Sequence, residues 1–199
     1  MKKLSVIIFS VFFLFKTSFA NTYSSEPQIF VSELVNDAIS KLSDKNLSIE
    51  EKAKHIENIA LKNVDINALG LYTLGELRKS TDQNTLNKYQ KAFQKYFLKS
   101  LTSRLTDYSS NKFEIISSEK KNSNYTIVKS RLPKGDNTPE IKIDWRIYTK
   151  NPQKPLIRDL IVEGLSLART QKEEFSSILN SNDNDINVLI SKLEEFYKK

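Results

Sequence analysis

The segment Ile141-Lys142-Ile143-Asp144-Trp145-Arg146-Ile147 alternates apolar and polar residues without a break. Successive side chains of a strand point to opposite faces, so this spacing dictates a β-strand with one apolar and one wet face. An isolated strand of that kind is not stable, and its apolar face needs a cover. The flanking sequence offers one. Upstream, Val31, Leu34, Val35, Ala38 and Leu42 recur at helical spacing. Pro27 stands near the start of that helix, where proline is tolerated, and Asn46-Leu47 ends it.

Three more helical segments follow. Ser48 with Glu51 is a capping-box pair, ahead of the stripe Ile49, Ala53, Ile56, Ala60. A segment from Ile66 to Arg78 carries Leu69, Tyr72, Leu74 and Leu77, with Gly70 and Gly75 inside it. Each glycine costs a helix about 1 kcal/mol against alanine, so a close approach to this backbone is expected. Ser80 or Thr81 is placed to cap the longest helix, running to Tyr108, whose apolar face is Leu86, Tyr89, Phe93, Tyr96, Phe97, Leu101, Leu105 and Tyr108.

The period then changes. Phe113 to Ile115, Tyr125 to Val128 and Ile157 to Gly164 join the alternating segment as strands, with turns at Arg131–Pro139 and Asn151–Pro155. Helices from Leu167 to Asn180 and from Asp185 to Tyr197 close the chain. Helices followed by hairpin-linked strands and further helices define an α+β domain.

The first twenty residues have the pattern of a secretory signal peptide. Lys2 and Lys3 precede an apolar run from Leu4 to Phe15, and Ser18-Phe19-Ala20 puts small residues at the cleavage positions. The expected mature domain is 21–199. The chain has no cysteine, which removes disulfides, thiolate metal sites, cysteine nucleophiles and lipid attachment at cysteine. Net charge is +7, of which Lys2, Lys3 and Lys16 supply three, leaving +4 on the mature chain. The remaining cations are scattered. Scatter and export together argue against nucleic acid as a partner.

Catalytic patterns are weak. His55 is the single histidine and lies beside its helix's apolar stripe. Gly164-Leu165-Ser166-Leu167-Ala168 lacks the second glycine of a nucleophile elbow. No phosphate loop is present, and no metal site or cofactor is expected. A cavity enzyme would need Asp144 or Glu163 turned into the apolar interior. The aromatic stripe and the Ile143/Trp145 face suit either a dry core or a lined cavity.

Two blocks resemble the MlaC family of periplasmic lipid-transport proteins, also called toluene-tolerance or ABC-transporter auxiliary proteins. The first runs Val64-Asp65-Ile66 to Leu74-Gly75, then Ser80-Thr81 and Tyr89-Gln90-Lys91-Ala92-Phe93. The second and more specific joins Ile143-Asp144-Trp145-Arg146 to Asp159-Leu160-Ile161-Val162-Glu163-Gly164-Leu165-Ser166-Leu167 and Glu174-Phe175. It is similar to the family's D-h-h-h-E-G-h-S-h motif, with h apolar. Glu76-Leu77-Arg78 stands where the family commonly has aromatic residues. Pro155 and Arg158 stand where it has tryptophan and tyrosine.

The resemblance implies N- and C-terminal helices packed on a curved, mainly antiparallel, cone-like sheet of NTF2-like form, enclosing an apolar cavity. It implies a phospholipid carrier shuttling between an outer-membrane lipoprotein complex and an inner-membrane ABC transporter with its membrane-anchored substrate-binding subunit. On that basis the expected lipid-binding residues are Leu74, Phe93, Phe97, Leu101, Ile143, Trp145, Leu160, Val162 and Leu165, with no catalytic residue. The alternatives are a ligand-free interaction domain and a cavity enzyme on an NTF2-like fold.

Overall fold

The structure, a computed structural model, describes residues 23–105, 112–134 and 139–198. The proposed leader and Tyr108 lie outside the described residues. Helix α1 (Pro27–Leu42) starts where Glu26 accepts hydrogen bonds from the Gln28 and Ile29 amides, with Pro27 at its first position. Helix α2 (Ile49–Asn63) opens on the expected capping box: Glu51 N–H donates to Ser48 Oγ and Ser48 N–H donates to Glu51 Oε2.

The expected helix from Ile66 to Arg78 is two helices, α3 (Ile66–Thr73) and α4 (Leu77–Ser80). Gly75 breaks it by taking φ +55°, a conformation that side chains disfavour. Gly70 stays helical and meets the expected close approach. A Cβ there would stand 2.7 Å from Gln90 Oε1 and 2.9 Å from Phe93 Cδ1.

Helix α5 (Gln83–Leu105) is capped neither by Ser80 nor by Thr81. Both hydroxyls donate back to the Leu77 carbonyl and finish α4. Asp82 caps α5 instead, accepting from the Asn84 and Thr85 amides at 2.9 and 3.0 Å.

Five antiparallel strands follow in sequence order: β1 (Glu114–Asn122), β2 (Tyr125–Leu132), β3 (Ile141–Tyr148), β4 (Leu156–Val162) and β5 (Leu165–Ser166). β1 runs well past the expected Phe113–Ile115. Its second half is polar and exposed, so it carries no alternation to read. β4 stops at Val162 because Glu163 and Gly164, at φ +49° and +82°, form a two-residue turn into β5. Positive φ at both central residues is the type I′ geometry that suits a hairpin's twist. Helices α6 (Leu167–Asn180) and α7 (Ile186–Lys198) complete the α+β fold.

The buried apolar residues form two clusters that share Val64 on their edges. One joins α3, α5, α6 and α7 through Leu74, Tyr89, Phe93, Phe175, Leu189 and Leu193. The other packs Phe30, Val31 and Leu34 of α1 and Ile56 and Ile59 of α2 on one face of the sheet.

Candidate functional site

The sheet's inner face is built by register. Val128 pairs with Trp145 and Trp145 with Leu160, while Ile143 pairs with Val162, so these side chains share one face. Val162 also pairs with Leu165 across the turn. Burial along this face changes in one direction. On β3, Ile147 is 0 % and Trp145 8 % exposed, and Ile143 and Ile141 are partly exposed. On β4, Ile157 is buried, Leu160 and Val162 are partly exposed, and Leu165 beyond the turn is 69 % exposed. Helix α5 repeats the trend: Ala92 and Phe93 are buried, and Phe97, Leu101 and Leu105 are half-buried. The two strands therefore loosen toward the same end of the sheet, that of Ile141 and Val162. Leu101 and Leu105 of α5 and Ile143 and Leu160 of the sheet, all partly open, border one cluster and form an apolar seam there.

At the boundary between seam and packed core stands Trp145. Its indole N–H donates to Ser130 Oγ at 2.8 Å, and the Ser130 hydroxyl donates to the Ile143 carbonyl at 2.9 Å. Burying a polar group costs unless it is paired. Ser130 supplies the pair, so the Trp145 face toward the seam is wholly apolar. Phe113 meets the indole edge-on, with centroids 6.2 Å apart.

The opposite face of the sheet carries a cleft of about 700 Å³, between Tyr125, Ile127, Lys129, Asp144, Arg146 and Ile161 and the α3 residues Leu69 and Tyr72. Three of its cations are paired with acids. Lys121 pairs with Glu119 at 2.6 Å, Arg158 with Asp65 at 2.7 Å and Arg146 with Asp159 at 3.6 Å. Lys129 is registered opposite Asp144. Arg158 also lies 3.4 Å from the Tyr148 ring centroid and donates to the Tyr125 hydroxyl. These ion pairs border a lining in which Leu69, Ile127 and Ile161 supply apolar surface.

Of the nine expected binding residues, Leu101, Ile143, Trp145 and Leu160 belong to the sheet cluster, and Val162 is paired with Ile143. Leu74, Phe93 and Phe97 belong to the helical cluster, Phe97 on its edge with its ring stacked 6.2 Å from Phe93. Leu165 is set apart at the exposed end. Asp144 lies on the outer face, and Glu163 is exposed with its carboxylate on the Lys142 amide. Neither points to the inner face. His55, on α2, is half-buried 3.1 Å from Asp37 Oδ1 of α1, and the Tyr23 hydroxyl donates to Asp37 Oδ2. Among the described residues no group of acids and histidines is placed to hold a metal, and no helix is long and apolar enough to cross a membrane. Ser130 and Phe113 were not expected at the site. Ser130 lies beyond the apolar Tyr125–Val128 stretch, in a strand that also holds Thr126, Lys129 and Arg131, so no local signal marks it. Phe113 opens the expected strand and carries no further signal.

Residues 32–195 match the profile of the MlaC protein family. The chain belongs to the MlaC family. No curated protein matches its sequence significantly. Among solved structures, a phospholipid-binding protein from Ralstonia solanacearum, in complex with a phospholipid, superposes with a TM-score of 0.72 at 16 % identity, covering 86 % of this chain and 96 % of that one. The likeness is one of fold.

The MlaC-type motif at 159–167 has a physical content here. Asp159, buried, accepts from Ser166 Oγ at 2.6 Å and from the Ala168 amide at 3.0 Å. Ser166 in turn caps α6 through the Arg169 amide. Glu163 reaches back to the Lys142 amide, and Glu163 N–H donates to the Lys142 carbonyl. The motif's polar residues thus fix a strand–turn–helix corner. Its apolar residues Leu160 and Val162 are left to face the seam. The departure at Arg158 is absorbed on the outer face by Asp65, Tyr125 and Tyr148.

Proposed function

We propose that this MlaC-family protein is a periplasmic phospholipid carrier that binds lipid without chemistry. The carrying observation is the shared direction in which β3 and β4 open, beside the half-buried Leu101 and Leu105 of α5 on the same cluster. A packed core would bury Phe97, Leu101, Ile143, Leu160 and Val162, yet all five are partly exposed. Exposing the two chains of a phospholipid costs on the order of 20 kcal/mol, at about 0.8 kcal/mol per CH₂. A carrier needs a surface of this kind to take them. In this reading those five residues line the acyl site. Trp145 floors it, Leu165 marks its mouth, and Leu74 and Phe93 form a second row behind Phe97. The phospholipid bound to the Ralstonia relative supports the choice of ligand.

Residues 1–20 serve as the signal peptide and 21–199 as the lipid-binding domain. The partners are an inner-membrane ABC transporter with its membrane-anchored subunit and an outer-membrane lipoprotein complex, between which lipid is handed over. The test is native mass spectrometry of protein released from the periplasm without detergent. About one phospholipid per chain is expected for one site. Lipid-free protein in every preparation, with no uptake of added phospholipid, overturns the reading.

A further inference from the structure

The seam has a closed end, and its construction bears on which lipids fit. Past Trp145 the inner face is solid: Val128 and Ile147 are fully buried, among Phe30, Val31 and Leu34 of α1. The change from partly open to packed occurs within one residue pair, Trp145 and Leu160. The side chain at that point is held on three sides. Its backbone lies in a central strand between β2 and β4. Its indole N–H is engaged by Ser130, whose own hydroxyl is spent on Ile143. Phe113 packs edge-on at 90° to the indole plane. The indole cannot swing aside without leaving a buried N–H unpaired. A methionine or a bare aliphatic wall would yield to a longer chain. This wall does not.

We infer that Trp145, positioned by Ser130 and backed by Phe113, is the specificity-determining stop that sets the longest acyl chain the protein accepts. The inference rests on the carrier reading above. A chain that ends short of the indole is buried along Ile143, Val162, Leu160 and Leu101. One methylene too many either displaces the stop or pushes the chain back into water at the mouth. In a hydrophobic pocket one methylene is worth about tenfold or more in binding, so the cutoff is steep.

The experiment loads delipidated protein with an equimolar mixture of diacyl phosphatidylethanolamines bearing myristoyl, palmitoyl, stearoyl and arachidoyl chains. Native mass spectrometry reads the bound profile. Wild type is compared with Trp145→Leu, Phe113→Ala and Ser130→Ala, with a thermal midpoint taken on each sample. Wild type should show a cutoff within the series. The variants should bind lipid and move that cutoff to longer chains, changing the long-to-short ratio by about tenfold. Phe113 is only partly buried, so Phe113→Ala keeps the test valid should Trp145→Leu fail to fold. A structural role for Ser130 would lower the midpoint and leave the cutoff unmoved. Lipid on all four proteins with one common profile, or a flat wild-type profile, overturns the stop and spares the carrier reading. No lipid on wild type overturns both.

Discussion

The Ser166 hydroxyl donates to the carboxylate of Asp159 at 2.6 Å, and this contact ties the end of the sheet to the start of α6. Asp159 is almost wholly buried and also accepts from the Ala168 amide, while Arg146 stands at 3.6 Å. Removing the carboxylate leaves the part-buried Ala168 amide and Ser166 hydroxyl without their acceptor, while Arg146, 46 % exposed, stays in water. Asp159→Ala should therefore cost about 2–4 kcal/mol, two hydrogen bonds to a charged group being lost together. Ser166→Ala loses a helix cap and one charge-assisted bond, and should cost about 1–2 kcal/mol. Urea midpoints of the two variants check the order. Equal and small losses would show that α6 is held by its apolar face alone.

The turn at Glu163-Gly164 offers a cleaner backbone test. Space beside Gly164 is open, so a Cβ meets nothing, but φ is +82°. Gly164→Ala should cost about 1 kcal/mol from conformation alone. Gly70→Ala is the converse case: the backbone is helical, but the new methyl would collide with Phe93 and Gln90. Overpacking of this kind costs about 1–3 kcal/mol. Chemical denaturation of both variants decides, and a neutral Gly70→Ala would mean that α3 and α5 part more easily than their contact suggests.

Two helix caps predict part of the acid limb of stability. Hydrogen bonds from Ser48 hold the Glu51 carboxyl below its ordinary range, and hydrogen bonds from Thr85 do the same for Asp82. A carboxyl whose folded pKa is depressed stabilises the fold above its unfolded pKa, about 4 for these groups, and loses that contribution as pH falls through the lower folded value. Stability should thus begin to fall near pH 5 and continue downward. Glu51→Gln and Asp82→Asn should flatten that slope. Melting curves from neutral to acidic pH in which both variants keep the wild-type slope would assign the acid limb to other groups.

The helical and strand boundaries that sequence expressed well were those with a local chemical signal. Ser48/Glu51 and the alternation at 141–147 are of this kind, whereas the expected strand Ile157–Gly164 runs over the Glu163-Gly164 turn. Where two local signals competed, spacing did not decide. Ser80, Thr81 and Asp82 all qualify as caps, and the first two are used up by the Leu77 carbonyl. β1 was hidden because it is an edge strand with little to bury. For the candidate site, register placed Ile143, Trp145, Leu160 and Val162 on one face, as alternation implies. The division of α5 between two clusters was not legible. Phe93 and Leu101 lie on one stripe of one helix, yet the first faces helices and the second the sheet. That depends on where the other helices end, which no spacing within α5 records.

The central claim is that the space between α5 and the sheet belongs to lipid and not to a core, and Leu101→Trp tests it most directly. In a core this substitution is overpacking and should destabilise by about 1–3 kcal/mol. In a seam it occupies the room the acyl chains need. Denaturation midpoint and phospholipid per folded molecule are to be measured on the same detergent-free preparation. The account predicts a near-normal midpoint with clearly reduced lipid. A large fall in midpoint with unchanged lipid per folded chain would place Leu101 in the core and contradict it.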